Sequence, residues 1–90
     1  MFGLLGSSSL DNNHGLLISP CSSVHTFGMR YAIDLVFMNN EGMIVKTVNA
    51  LKPWRMAFSN SASMVLELAA NTLEQRQLAT GQQLEWHEDA

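Results

Sequence analysis

One cysteine, two prolines and few charges narrow the reading of these 90 residues before any motif is considered. A lone Cys21 closes no internal disulfide, so a disulfide-stapled secreted scaffold is excluded and a reducing, cytoplasmic setting is expected. No apolar stretch approaches the roughly 20 residues that a membrane-spanning helix needs. Met1 to Leu10 has no positive n-region and too short an apolar run for a signal peptide, so a soluble chain with no membrane partner is expected. Charged residues make up only 14% of the chain against a typical ~25%, so burial rather than surface ion pairing must hold the fold. The five cations, Arg30, Lys46, Lys52, Arg55 and Arg76, are scattered through a chain of formal net charge −3. Without a basic stripe to neutralise a run of phosphates, nucleic acid is not an expected partner. Paired metal-ligand spacing is missing too. Cys21 and His25 stand four apart, His14 or His87 would have to complete the set, and structural zinc normally takes four ligands, so no metal is expected. Gly3-Leu4-Leu5-Gly6 lacks the lysine and the strand–helix setting of a phosphate loop, and no cofactor is expected.

What is present is ordinary globular hydrophobicity, 47% of residues, which with low charge excludes a disordered chain. Ninety residues fit one domain, residues 1–90, burying only roughly 60–65% of the surface of the unfolded chain. The first 13 residues are the least committed. Gly3 and Gly6 interrupt Phe2, Leu4 and Leu5, and the Ser7–Ser9 and Asp11–Asn13 runs read as loop. Leu16-Leu17-Ile18, bounded by Gly15 and Pro20, reads as a strand that Pro20 closes.

Ile33 to Met38 is the clearest strand, apolar on both faces and therefore central and covered on both sides. Asn39-Asn40-Glu41-Gly42 supplies turn residues, and Met43 to Val48 resumes as the second arm of a β-hairpin. Lys52-Pro53-Trp54-Arg55 breaks that arm, Ser59-Asn60-Ser61 is a loop, and Met64 to Leu68 alternates as another strand. Asn71 or Thr72 opens a short helix to Leu78, with Asn71–Glu74 or Thr72–Gln75 as a capping box. Thr80-Gly81-Gln82 ends the helix, Gln83 to Trp86 is a last strand, and His87 to Ala90 is expected to fray. Short strands with turn signals and one short helix near the C-terminus predict a mainly β fold, a small and largely antiparallel sandwich or barrel. A second helical turn near the N-terminus is the one helical addition the pattern leaves room for.

These segments resemble the family of small uncharacterised proteins called domain of unknown function 192. The resemblance is carried by Gly3-Leu4-Leu5-Gly6, Gly15-Leu16-Leu17-Ile18, and the block Ser23-Val24-His25-Thr26-Phe27-Gly28-Met29-Arg30 running into Ile33-Asp34-Leu35-Val36-Phe37. Pro53-Trp54-Arg55, Val65-Leu66-Glu67-Leu68 and the helix–Gly81 turn extend it over nearly the whole chain. It implies a compact, mainly β domain and carries no established activity. Three positions depart from the family pattern. The strand and arginine usual before Gly3-Leu4-Leu5-Gly6 in the family do not precede it here and Ser7 stands for a second arginine, which implies a domain lacking its first strand, with an open N-terminal edge through which copies could pair or an exposed apolar patch. Asn71 stands for a glycine, so a positive φ is retained there by asparagine. Gln82 stands for an aspartate, which weakens any acidic role there.

The residues with chemistry to offer are His25, Arg30, Asp34 and Arg55. Converging on one concavity, they would bind a small anion, with an arginine forking onto a carboxylate or phosphate and His25 as a proton-transfer group. The plainer alternative makes Asp34 a buried acid tolerated through an arginine or backbone N–H partner, with His25 a hydrogen-bonded orienting residue. A small hydrolase or transferase with His25 as base and Asp34 as its orienter is the catalytic alternative, but no serine or cysteine is tied to His25 by a motif spacing. A Cys21–His25 nucleophile pair is the weaker form of that chemistry; Cys21 reads better as a small buried hydrophobe. The leading expectation is a non-enzymatic binding or accessory domain for a small anionic ligand or a protein partner. Trp54 and Trp86 could form an aromatic platform, though core or rim packing is the simpler role, and the six methionines read as core filler.

Overall fold

The computed structural model describes residues 2–4, 14–84 and 86–88. Among them the order is β1 (Phe2–Leu4), β2 (His14–Ile18), β3 (Ser23–His25), β4 (Ile33–Met38), β5 (Ile44–Leu51), β6 (Met56–Phe58), β7 (Met64–Ala69), α1 (Thr72–Arg76) and β8 (Trp86–Glu88). The result is a mainly β, antiparallel architecture with one short helix near the C-terminus. Among the described residues, no helix is long and apolar enough to cross a membrane.

All six residues of β4 are buried. The strand lies between β5 and β7, antiparallel to both, with a core against each face. Alternation sorts its side chains. Ile33, Leu35 and Phe37 meet Val24, Ala57 and Val65 on one face; Val36 and Met38 meet Ile44, Leu66, Leu68, Leu73 and Leu84 on the other. Phe37 and Leu35 are fully buried, each contributing about 1.5–3 kcal/mol relative to exposure.

β4 belongs to a six-stranded sheet of order β5-β4-β7-β2-β1-β8, and β3 pairs with β6 in a separate two-stranded ribbon. The sheet curls back on itself. Gly81 N–H donates to Ile44 O (2.8 Å), Ile44 N–H to Gln82 O (2.8 Å) and Leu84 N–H to Gly42 O (3.0 Å), so the segment leading into β8 lies against the start of β5. The β4–β5 hairpin turns as its residues require. Asn39 Oδ1 accepts the N–H groups of Glu41 (2.9 Å) and Met43 (3.0 Å), and Gly42 takes φ 83°, an Asx-type turn.

Several expectations need correction. The last strand is Trp86–Glu88, so His87 and Glu88 pair with Gly3 and Phe2 instead of fraying; Gln83 contributes only an isolated bridge to Met43. β1 is flanked by β2 on one side and β8 on the other. Phe2–Leu4 is strand, and the expected helical turn near the N-terminus, like the Ser7–Ser9 and Asp11–Asn13 loop, falls outside the described residues. α1 stops at Arg76, two residues before Leu78. Neither capping box forms. Asn71 is the N-cap but takes the left-handed conformation, φ 76°, with no side-chain cap bond, whereas a side-chain-capping residue is typically extended. Its positive φ is the one expected of asparagine standing for glycine.

Candidate ligand-binding face

The ribbon was not legible as two strands because each has one inward residue. Val24 and Ala57, directly paired, pack under it, while Ser23 and His25 on β3 and Met56 and Phe58 on β6 are all exposed. The register sets His25 beside Met56 and Ser23 beside Phe58. An apolar outer face on so small a ribbon is what a soluble surface ordinarily avoids.

The ribbon end is organised by Thr26, which is fully buried. Its hydroxyl donates to Lys52 O (2.6 Å), lies 3.2 Å from Arg55 O, and accepts Arg55 N–H (2.9 Å). Its backbone N–H donates to Arg55 O (2.8 Å) and its carbonyl accepts the N–H groups of Trp54 (3.0 Å) and Met29 (3.2 Å). The turn after β3 is thereby tied to the turn before β6. Trp54 is held at φ 63°, a left-handed conformation that costs a bulky residue of order 1–3 kcal/mol. The surrounding bonds sustain it.

The consequence is a row of rings in contact. His25 and Phe27 have centroids 5.0 Å apart, and Phe27 and Trp54 are stacked at 5.7 Å. Phe27 is 52% exposed and Trp54 64%, so the row faces solvent rather than the core. Beside it, Arg55 is exposed and its Nη1 lies 3.3 Å from Trp54 O. Lys46 lies over the rings of Phe58 (5.5 Å) and Phe37 (5.8 Å) and donates to Phe58 O (2.7 Å). Residues 14–33 and 42–66, which build the ribbon and its flanks, carry Arg30, Lys46, Lys52 and Arg55 and no aspartate or glutamate. The face is therefore locally cationic in an acidic chain.

Of the four site residues expected from sequence, His25 and Arg55 stand at this face, and Arg30 is exposed in the turn that follows Phe27 and Gly28. Asp34 is not brought to them. It is 1% exposed on the face of β4 opposite the ribbon, where Oδ1 accepts Ala50 N–H (2.8 Å) and Oδ2 accepts Leu73 N–H (2.9 Å). Backbone donors satisfy this carboxylate, and neither a guanidinium nor an imidazole is among its partners. The His25–Asp34 pair that general-base chemistry would use is not formed. Asp34 instead provides what Asn71 does not, an acceptor for an N–H in the first turn of α1.

Sequence reasoning does not pick out Phe27, Met56 and Phe58, because core burial is the ordinary role of such residues, and it favours the core or rim for Trp54 for the same reason. Met43 and Met56 are exposed while Met38 is fully buried, so the methionines divide between core and surface. Cys21 is a free, half-buried thiol whose Sγ lies 3.0 Å from Ser23 O.

Comparison with known proteins supports this architecture. The family model for DUF192, described as an uncharacterized ACR, matches residues 1–86. A UPF0127 protein from Pyrococcus furiosus is 34% identical over 67 residues, 73% of this chain and 57% of that protein. The chain thus spans little more than half of that relative. Two crystal structures share the fold. One, from Sinorhizobium meliloti, is named as a candidate transcription regulator (TM-score 0.76, 22% identity, covering 93% of this chain and 70% of that one). The other, from Novosphingobium aromaticivorans, has unknown function (TM-score 0.74, 15% identity, 93% and 65%).

Proposed function

We propose, from the premise that this chain belongs to the DUF192 family, that it is a non-enzymatic binding domain whose exposed ribbon takes a small anion bearing a flat apolar face. The observation that carries this is the solvent-facing row His25–Phe27–Trp54, kept at the surface by a strained backbone at Trp54. Strain maintained by a surrounding bond network is a recurrent mark of a functional position. The rings offer a stacking surface worth about 0.5–1.5 kcal/mol per ring contact. Arg55 offers a charge-assisted bond worth about 1.5–3 kcal/mol. Together these suit a sugar acid or an aromatic acid at affinities of about millimolar for a fragment. A hydrolase or transferase using His25 as base is less well supported, because its orienting carboxylate is engaged on the other face of β4. The unpaired Cys21 thiol suits a reducing, cytoplasmic setting.

The test is a tryptophan-fluorescence and NMR titration with glucuronate and benzoate, using glucose and benzamide as neutral counterparts. Saturable shifts at Phe27 and Trp54 are expected for the acids only. They should be lost in Trp54→Gly and weakened in Arg55→Gln. Trp54→Gly relieves the left-handed strain while losing one stack, so its stability should stay within about 1 kcal/mol of wild type. Absence of saturable binding by either acid, or an unaltered affinity in Trp54→Gly, would overturn the assignment.

A further inference from the structure

On three adjacent strands of the sheet face beneath the ribbon, β2, β4 and β7, one residue does not fit its neighbours. On β2, Leu16 and Ile18 point to this face; on β4, Ile33, Leu35 and Phe37; on β7, Val65, Glu67 and Ala69, as the cross-strand pairs Leu16↔Glu67, Leu35↔Glu67, Ile18↔Val65 and Phe37↔Val65 require. Seven of these eight positions are aliphatic or aromatic, and the eighth is a carboxylate with a leucine on either side. Departures from a strand's binary pattern with no evident structural gain concentrate at functional sites.

The Glu67 carboxylate makes no hydrogen bond and no ion pair with any described residue. The ribbon covers Leu35, Phe37 and Val65 completely, yet Leu16 is left 50% exposed and Tyr31 66%. Between them lies an open groove of about 320 Å³ lined by Leu16, Met29, Tyr31, Ile33 and Glu67, among others. This volume is at the small end of ligand sites.

We infer that this groove binds a primary ammonium carried on a short apolar chain, with Glu67 accepting the ammonium N–H and Leu16, Met29 and Ile33 covering the chain. Charge complementarity selects the occupant: the groove holds one carboxylate, and no described cation neutralises it. The Tyr31 ring at the rim adds a face toward which a cation is attracted. Burial raises the Glu67 pKa above the ordinary carboxylate range by desolvating the charged form, a penalty that a bound cation relieves. Nothing here depends on the ribbon, whose proposed ligands carry the opposite charge.

The experiment is an amide chemical-shift titration of the full chain with n-butylammonium, using 1-butanol and butyrate as neutral and anionic counterparts. Saturable shifts at Leu16, Glu67 and Met29–Tyr31 are expected for the ammonium alone. Glu67→Gln keeps the shape and removes the charge, and should weaken binding by about tenfold or more, the loss of one charge-assisted contact. Glu67→Gln removes no hydrogen bond, so it should fold; Tyr31→Ala, at an exposed position, gives a second variant with a smaller loss. Equal shifts with butanol, undiminished binding by Glu67→Gln, or saturation confined to the His25–Trp54 ribbon would each overturn the assignment.

Discussion

Replacing Asp34 by alanine should be among the most damaging single changes outside the apolar core. The carboxylate joins three parts of the chain: β4 itself, the end of β5 at Ala50 and the start of α1 at Leu73. Removing it strands the Leu73 N–H in a buried setting, at about 1–3 kcal/mol, and the Ala50 N–H in a more accessible one, at about 0.5–1.5 kcal/mol. A total loss of about 2–4 kcal/mol is large against the roughly 5–13 kcal/mol expected of a domain this size. Asp34→Asn keeps one acceptor and turns an amide donor toward the other N–H, so it should cost about 1–3 kcal/mol. Urea unfolding reads the loss as a lower midpoint at unchanged slope. Hydrogen exchange locates it, with faster exchange at Leu73 and Ala50. Arg30→Ala is the control: Arg30 is exposed and does not touch Asp34, so its effect should stay within about 0.5 kcal/mol. A loss below about 1 kcal/mol in Asp34→Ala, or an equal loss in Arg30→Ala, would refute this account of the buried acid.

Glu67→Gln should stabilise the protein at neutral pH. The native carboxyl has a raised pKa, so the native state binds more protons than the unfolded chain between the two pKa values. Stability is complete below the unfolded value and falls as pH rises through the folded one. The advantage of the variant should therefore shrink on acidification, and paired thermal melts at stepped pH values that keep it constant would contradict the sign. Thr26→Val removes a hydroxyl that bonds Lys52 O and Arg55 N–H in a fully buried site and should cost about 1–3 kcal/mol. Thr26→Ser should recover most of it, and equal melting temperatures for the two would rule out the hydroxyl. Gly15→Ala places a Cβ 2.6 Å from Leu68 Cδ2 and 2.8 Å from Glu67 O, too close for β2 and β7 to keep their spacing. A loss of about 1–3 kcal/mol is expected, and an undiminished urea midpoint would show that the strands give way freely.

The sequence by itself determined β4, its hairpin and β7, because alternation and turn chemistry are written within four to eight adjacent residues; the left-handed Asn71 was implied only by the family resemblance. It also singled out Asp34 as a buried acid in need of a partner. Tertiary structure alone decided that the partners are backbone N–H groups 16 and 39 residues away, because a buried carboxylate accepts equally from a side chain or a main chain. It decided, too, that β1 sits between β2 and β8, a pairing of the two chain ends that no local pattern encodes. The ribbon follows the same logic. Three-residue strands with one inward side chain carry almost no periodic signal, so Thr26, distant in sequence from the Lys52–Arg55 turn it ties down, settles where Trp54 stands. Only the assembled sheet shows Glu67 as the one charged side chain that β2, β4 and β7 place on their shared apolar face, since that contrast exists across three strands and not along any one of them.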